Sequence, residues 1–253
     1  MIRRADGDDW LIISQVDHAH VAGEMARAWG SAAVAELPFR DLLLPAVWHH
    51  DDGWGPWEQR PCVDRQTGLP RSFMEMPMVE ATAIWTRSID ACAGLSGLGG
   101  LWVSLHFCWL AEHATTNDPH DVRAIQTFLA QQKGRRRDWR QLPGPALAPS
   151  ELDRAVDVGF RYLQLFDAVS LWLCCAPPAQ SLRIRSPEQV ELHFQPRAPV
   201  QASVHPYPFV DGILTLDVVA RRIAARPYDD AQLQAALADA ARERLEWILR
   251  PDA

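Results

Sequence analysis

Lysine is almost absent from this chain of 253 residues, because Lys133 is the only one and the other basic side chains are arginine. A phosphate-binding P-loop needs the sequence Gly-Lys-Ser/Thr, and Lys133 is followed by Gly134 and Arg135. A Schiff-base lysine is equally disfavoured, since Lys133 lies in a very polar stretch that keeps the amine charged and unreactive. The sequence therefore excludes a P-loop and disfavours covalent catalysis by lysine.

Other common signatures are missing as well. The five cysteines form no Cys-x-x-Cys pair, so we expect reduced core thiols and no zinc knuckle. No Gly-x-Ser-x-Gly elbow occurs, and no Gly-x-Gly-x-x-Gly follows a strand. The formal charge of −7 argues against a nucleic-acid partner, which needs a basic surface. No apolar run reaches the roughly 18 residues that span a bilayer, and no apolar signal core follows Met1, which predicts a cytoplasmic protein without membrane contact.

Hydrophobic periodicity predicts a mainly α protein with a β-rich end. After a short strand at 10–13, the predicted helices cover 17–29, 39–51, 75–93, 101–114, 119–133 and 150–175, with a glycine-rich link at 94–100. After Pro177-Pro178, alternating polar and apolar residues predict antiparallel strands at 181–185, 190–194, 201–205 and 213–217. A last amphipathic helix is predicted at 230–249. We therefore expect a helical metal-binding domain over 1–178 and a small antiparallel β-rich module over 179–253.

The segment His49-His50-Asp51-Asp52-Gly53-Trp54 is the most distinctive motif of the chain. It places two imidazoles and two carboxylates at the end of an apolar run, and a divalent metal is the partner that best suits such a cluster. Helical phase puts His50 and Asp51 on the apolar side and turns His49 away. We expect His50 and Asp51 to be metal ligands. Asp52 is expected to orient a ligand or to act as a catalytic base.

Two distant residues complete the predicted metal site. His18 shares an apolar stripe with residues 21, 25 and 29, so it faces the core of the protein, where a histidine can be a ligand or simply a hydrogen-bonded core residue. Asp167 lies in the middle of the apolar stripe of the helix at 150–175, where an unpaired carboxylate is costly. An ion pair with Arg154 or Arg161 is the alternative to a metal.

A second group of polar side chains is predicted to serve the substrate. His106 and His113 share an aromatic face of the helix at 101–114, and we expect them to bind substrate or stabilise a leaving group. Packing with a single hydrogen bond is the alternative for both. The basic cluster Arg135–Arg137 is either a solvated surface or an anion clamp near the site.

The order His18, then His50-Asp51, then Asp167 resembles the signature of the HD-domain superfamily, which consists of helical metal-dependent enzymes, mostly phosphohydrolases. The resemblance covers roughly residues 10–178 and implies that these four residues are the ligands of an HD-like helical bundle. More narrowly, the chain resembles an uncharacterised bacterial family of unknown function. The passages that carry this narrower resemblance are 15–18, 50–54, 72–77, 104–107 and 165–171.

This resemblance predicts a metal-dependent hydrolase, in particular a phosphohydrolase of a small organic phosphate or nucleotide. The cofactor would be one or two divalent ions (Mn, Fe, Zn or Mg), and the substrate a small anionic molecule. Binuclear members of the superfamily add histidines between the His-Asp pair and the last aspartate. Here His106 could be one, but no histidine lies between His50 and His106. Glu75 or Glu80 could substitute, or the site could hold a single ion. An HD-fold di-iron oxygenase and a non-catalytic, metal-stabilised binding protein are the alternatives. A homodimer is left open.

Overall fold

The computed structural model describes residues 1–141, 148–175, 180–198 and 200–252. The helices in these ranges are α1 (Gln15–Ala28), α2 (Arg40–His49), α3 (Gly55–Glu58), α4 (Met78–Leu95), α5 (Gly97–His113), α6 (Pro119–Trp139), α7 (Pro149–Cys174) and α8 (Asp230–Asp239). The strands are β1 (Ile2–Asp6), β2 (Asp9–Ile13), β3 (Leu182–Arg185), β4 (Glu191–Ala198), β5 (Gln201–His205), β6 (Leu214–Ala224) and β7 (Arg242–Pro251).

All seven strands form a single sheet in the order β1-β2-β6-β7-β5-β4-β3. Neighbouring strands run antiparallel except β5 and β7, which run parallel, so the sheet is mixed. The sheet curls into a half-barrel. The first two strands are a hairpin, and the second of them pairs with β6, with Ile13 opposite Ala220. The two ends of the chain therefore meet in one sheet.

This architecture shows that the predicted fold class, an HD-domain-like helical bundle with a small antiparallel β module, is wrong. About 52% of the chain is helical and about 22% is in strands. The sheet also includes the N-terminal hairpin, of which the sequence indicated only the strand at 10–13. The pairing between β2 and β6 joins segments about two hundred residues apart, and no local pattern predicts such a contact. The predicted boundary at residue 178 lies within 176–179, outside the described residues.

The end of the chain contains the largest error in the predicted elements. The predicted helix at 230–249 is a helix only as far as Asp239, and strand β7 begins at Arg242. Trp247 and Leu249 are buried opposite Leu216 and Leu214, and the intervening Ile248 and the flanking Glu246 and Arg250 are more exposed. This period of two indicates a strand, but over so short a window it is easily confused with an amphipathic helix.

The predicted glycine-rich link at 94–100 is also wrong, because most of it is helical. Ser96 caps the N-terminus of α5 by accepting a hydrogen bond from the backbone N–H of Gly99 at 2.9 Å. The cap satisfies one of the free donors at the helix start and allows α5 to begin within the glycine-rich segment. Helices α4 and α5 are consequently joined by almost no loop.

One hydrophobic core connects the helices to the sheet. Trp29, at the end of α1, lies edge-on to Tyr162 and Phe166 of α7, with ring centroids 5.6 and 5.4 Å away. Phe209, between β5 and β6, packs against the same indole at 6.2 Å. Helix α1 is therefore enclosed between α7 and the β region, and this arrangement fixes the helices that carry the candidate site.

Candidate metal centre

Four helices bring five ligand-type side chains to one buried point. His18 comes from α1, His50 and Asp51 from the end of α2, His106 from α5 and Asp167 from α7. These residues form two overlapping groups, His18/His50/Asp51 and His50/His106/Asp167, whose ligand atoms lie within 4.8 Å of one another. The prediction that His and Asp side chains cluster here in a metal-binding arrangement is confirmed.

Short contacts between imidazole nitrogens and carboxylate oxygens link the four predicted metal ligands. The distance from His18 Nε2 to Asp51 Oδ2 is 2.9 Å, and that from His50 Nε2 to Asp167 Oδ1 is 3.3 Å. The cross distances are 3.8 Å from His18 Nε2 to Asp167 Oδ1 and 3.7 Å from His50 Nε2 to Asp51 Oδ2. Ligand bonds of about 2.0–2.2 Å place neighbouring donors of one ion at such separations, so each of these pairs is positioned for a shared divalent ion.

The tautomers of His18 and His50 follow from the hydrogen bonds of their Nδ1 atoms. His50 Nδ1 lies 2.7 Å from the carbonyl oxygen of Val47, which can only accept, so Nδ1 carries the proton. The Ser170 hydroxyl donates to the carbonyl oxygen of Asp167 at 2.8 Å, so its oxygen accepts from His18 Nδ1 at 2.9 Å. Both Nε2 lone pairs therefore point at carboxylate oxygens. A cation, either a proton or a metal ion, has to lie between these electron-rich atoms.

The pKa values show where protons bind in the metal-free protein. Burial opposes a charge on His50, but the charge of Asp51 and the hydrogen bond to Asp167 outweigh it and raise the pKa of His50 to about 9. Burial likewise opposes the charge on Asp167, yet the hydrogen bond from His50 and the nearby imidazoles hold its pKa well below the usual value. Burial dominates at His106 and lowers its pKa, which keeps this imidazole neutral.

Ser170 lies at the cluster, although it was not predicted from the sequence. It is fully buried and orients His18 as described above, in the way that partners of metal-binding histidines usually do. A signal was present, since Ser170 follows Asp167 by three residues and therefore lies on the same face of α7. An isolated serine on a helix is too common for this spacing to be decisive.

Two of the predicted catalytic residues lie away from the cluster. Asp52 accepts a hydrogen bond from His49 Nδ1 at 2.9 Å, and both side chains are about one third exposed. His113 is exposed, donates to the carbonyl oxygen of Trp109 at 2.8 Å and stacks on its ring. The third, His106, lies at the cluster, with Nε2 3.9 Å from Asp167 Oδ2.

The arginine alternatives do not occur at the site. Asp167 faces histidines, whereas Arg161 pairs with Asp157 one turn away at 3.1 Å. Within the basic cluster, Arg135 pairs with Asp90, and Arg136 lies against Cys108 on α5. The basic cluster therefore pairs with a surface carboxylate and packs on the neighbouring helix. The carboxylate of Asp167 contacts the imidazoles.

The described residues offer little to a second ion. The two groups share His50, whose single Nε2 lone pair can bind only one ion. A second ion would keep His106 Nε2 and Asp167 Oδ2 as its ligands. Glu75 and Glu80, considered above as substitutes, bond to Arg3 and Arg71 instead.

Gly53, which follows the predicted ligands in the His49–Trp54 motif, allows a close contact between the chain and helix α4. A Cβ atom at this position would lie 2.3 Å from the carbonyl oxygen of Ile84 and 2.4 Å from the backbone nitrogen of Ser88. The chain therefore touches the backbone of α4 here, and the Gly53 N–H donates to the Ser88 hydroxyl at 3.0 Å. This contact anchors the turn that presents Asp51.

A cavity of about 390 Å³ opens above the cluster, within the usual size range of small-molecule sites. His18, Asp51, His106 and Asp167 contribute to its floor. Its walls are mainly aromatic and aliphatic and include Trp54, Phe73, Met76, Trp85, Phe107 and Leu110. The cluster is therefore accessible to a ligand of small-molecule size.

The fold and the site together define an α+β protein with a buried His/Asp centre beneath an apolar cavity. The chain belongs to the DUF3891 family, described as a protein of unknown function, and the match covers residues 1–225. All five clustered side chains lie in the matched range. Neither the curated proteins nor the solved structures contain a match to this chain. Among the described residues, none of the helices has the length and apolar character that crossing a membrane requires.

Proposed function

We propose that this protein is a metal-dependent hydrolase whose divalent ion is held by His18, His50, Asp51 and Asp167. The observation that carries the proposal is the orientation of both Nε2 lone pairs toward carboxylate oxygens at 2.9 and 3.3 Å. In both histidines the other ring nitrogen, Nδ1, donates a hydrogen bond to a protein oxygen. Proteins usually orient histidine ligands of metals in this way. Two nitrogen and two oxygen donors suit Mn, Fe or Zn.

The residues around the ligands can supply the remaining chemistry of hydrolysis. A bound divalent ion would act as a Lewis acid toward a substrate oxygen and toward water. His106 lies beside Asp167 and lines the cavity, and its lowered pKa leaves it neutral. It can accept a proton from the attacking water and donate one to the leaving group. The apolar walls exclude bulk water and position the substrate body.

The order of the ligands along the chain also supports the proposal, because it is the order on which the resemblance to HD-domain phosphohydrolases rests. The donor atoms themselves support hydrolytic chemistry, whereas the mixed sheet separates this fold from a helical bundle. The di-iron alternative is disfavoured by the shared His50 lone pair, which leaves a second ion with two ligands among the described residues.

Elemental analysis joined to a hydrolysis assay tests the proposal. Protein loaded with Mn²⁺, Zn²⁺ or anaerobic Fe²⁺ should retain about one ion per chain after gel filtration and hydrolyse ester substrates faster than the metal-free protein. His50→Ala and Asp167→Ala should lose both properties, whereas His113→Ala should keep both. Absence of bound metal under every loading condition would refute the metal site. Bound metal with no turnover, and a lowered Tm when ligands are mutated, would instead indicate a structural ion.

A further inference from the structure

The cavity above the metal centre has an unusual charge balance. It is lined by the carboxylates of Asp51, Asp167 and Asp121, and the described residues that line it include neither arginine nor lysine. One divalent ion would cancel the charges of Asp51 and Asp167. Asp121 already accepts hydrogen bonds from the backbone of Val79 and, at 3.4 Å, from Thr116. The floor of the loaded cavity is therefore close to neutral, and the described residues that line it add no arginine or lysine that could bind an anion.

A phosphate monoester fits this environment poorly. Its two negative charges would be brought beside two carboxylates with only the ion to balance them, and burying uncompensated charge is costly. Arg161 and Arg185 line a neighbouring cavity of about 450 Å³, which shares His106, Leu110 and Asp167 with the apolar cavity. Their side chains are 49% and 67% exposed and pair with Asp157 and Glu191. They do not line the apolar cavity. The lining thus favours a substrate without net charge.

Gln15 supplies a polar contact of the complementary kind. Its side chain is 2% exposed and lines the cavity, and no acceptor among the described residues bonds to its Nε2. A buried amide N–H without a partner costs about 1–3 kcal/mol, so a ligand that offers an acceptor gains by satisfying it. A carbonyl oxygen is an uncharged acceptor, whereas a cationic ligand offers none. Gln15 and His18 lie one turn apart on α1, so this donor stands next to the metal ligands.

We propose that the cavity binds an uncharged carbonyl compound, a carboxylic ester or amide with an aromatic or branched aliphatic body. The body lies against Trp54, Trp85 and Phe107, and the Gln15 amide donates to the carbonyl or the adjacent heteroatom. Hydrolysis of the bound compound rests on the proposed hydrolase function. Water adds across the acyl–oxygen or acyl–nitrogen bond, which gives a carboxylic acid and an alcohol or amine, and no oxidant or reductant is needed.

Binding of three probes with the same phenyl ring tests the charge preference without turnover. The probes are acetanilide (neutral, with a carbonyl), phenyl phosphate (dianionic) and phenyltrimethylammonium (cationic). Calorimetric titration of the metal-loaded and metal-free protein, supported by tryptophan fluorescence, should give acetanilide a Kd at least tenfold below those of the other two in the loaded form. Equal affinities, or tighter binding of either charged probe, would overturn the inference.

The role of Gln15 is tested by Gln15→Leu, which keeps the volume and removes the donor. Acetanilide should bind about tenfold more weakly, which is the size expected for one lost hydrogen bond. Gln126→Leu, at an exposed position on α6, is the matched control and should bind like wild type. Unchanged acetanilide affinity in a folded Gln15→Leu variant counts against the predicted contact.

Turnover separates this inference from the hydrolase proposal. Loaded wild-type protein should hydrolyse phenyl acetate at least tenfold more efficiently, in kcat/KM, than phenyl phosphate, with Asp167→Asn as the background. Selective acetanilide binding without hydrolysis of either ester would leave the inference standing and overturn the hydrolase proposal. Faster hydrolysis of phenyl phosphate would support the hydrolase and overturn the inference.

Discussion

Replacing Asp167 by asparagine tests the ligand set most directly, because the change keeps the shape of the side chain and removes its charge. In the wild-type protein Asp167 Oδ1 lies 3.3 Å from His50 Nε2 and 3.8 Å from His18 Nε2. An ion between these atoms would lose one of its two anionic ligands. Residues that only hydrogen-bond to a metal ligand typically change metal affinity about 10- to 100-fold when they are mutated. Asp167 would bind the ion directly, so we expect its replacement to raise the metal Kd at least about 100-fold.

Thermal unfolding turns this loss of affinity into a measurable shift. An ion at 100 times its Kd stabilises the folded state by about 2.7 kcal/mol, which raises the Tm of a chain of this size by about 5–11 °C. At the same ion concentration, a variant whose Kd is 100-fold higher gains about 0.4 kcal/mol, or about 1–2 °C. The two outcomes are easily separated by calorimetry.

The assay compares Tm with and without Mn²⁺ or Zn²⁺, together with elemental analysis of each sample. Asp157→Asn is the matched control, because Asp157 lies on the same helix, is half exposed and pairs only with Arg161 among the described side chains. It should keep the full metal-induced shift. A full shift in Asp167→Asn, equal to that of the control, would refute the proposed ligand set.

The same geometry leads to four further predictions. Ser170→Ala removes the acceptor of His18 Nδ1 and should weaken metal binding about 10- to 100-fold in calorimetric titration; unchanged affinity would contradict its orienting role. The imidazolium of His50, whose pKa is raised from 6.5 to about 9, must lose its proton to bind metal, so affinity should increase up to about tenfold per pH unit between pH 7 and 9. In the metal-free protein, the stability contributed by this charge is complete below pH 6.5 and disappears as the pH rises through about 9, because the folded pKa exceeds the unfolded one. Gly53→Ala should cost about 1–3 kcal/mol through its clash with α4, whereas Gly55→Ala, with no atom within 4 Å of the new Cβ, should leave Tm nearly unchanged.

The clustered donors could be predicted because the rules that identify them act locally. A histidine on an apolar stripe, as at His18, or a carboxylate within one, as at Asp167, needs a partner wherever the helix is placed. The direction of Asp52 could not be predicted in this way, because it lies in a 3-10 turn after α2 and the helical phase no longer applies. His113 shares a helical face with His106, but α5 extends two turns past the site and exposes its end to solvent.

The sheet escaped prediction because its pairings are non-local. Strand β7 lies between β5 and β6, and its place there is set by contacts such as that of Trp247 with the strand at Leu216, about thirty residues earlier. The N-terminal hairpin joins at β6 through pairs that close almost the whole chain into a loop. A short segment with mixed periodicity carries no information about its pairing partner. Its sequence is compatible with a helix or a strand, and contacts with distant residues determine which one forms.

The part of the fold that escaped prediction is also what sets the geometry of the site. Periodicity shows which face of α1 carries His18, but it does not show at which height α1 lies against α7. Trp29, about three turns further along α1, is held between Phe166 of α7 and Phe209 of the β region. Because Phe166 precedes Asp167 directly, this aromatic contact fixes the height at which His18 meets Asp167. The 3.8 Å separation of these two ligands therefore depends on packing that involves the β region, which a helical bundle would lack.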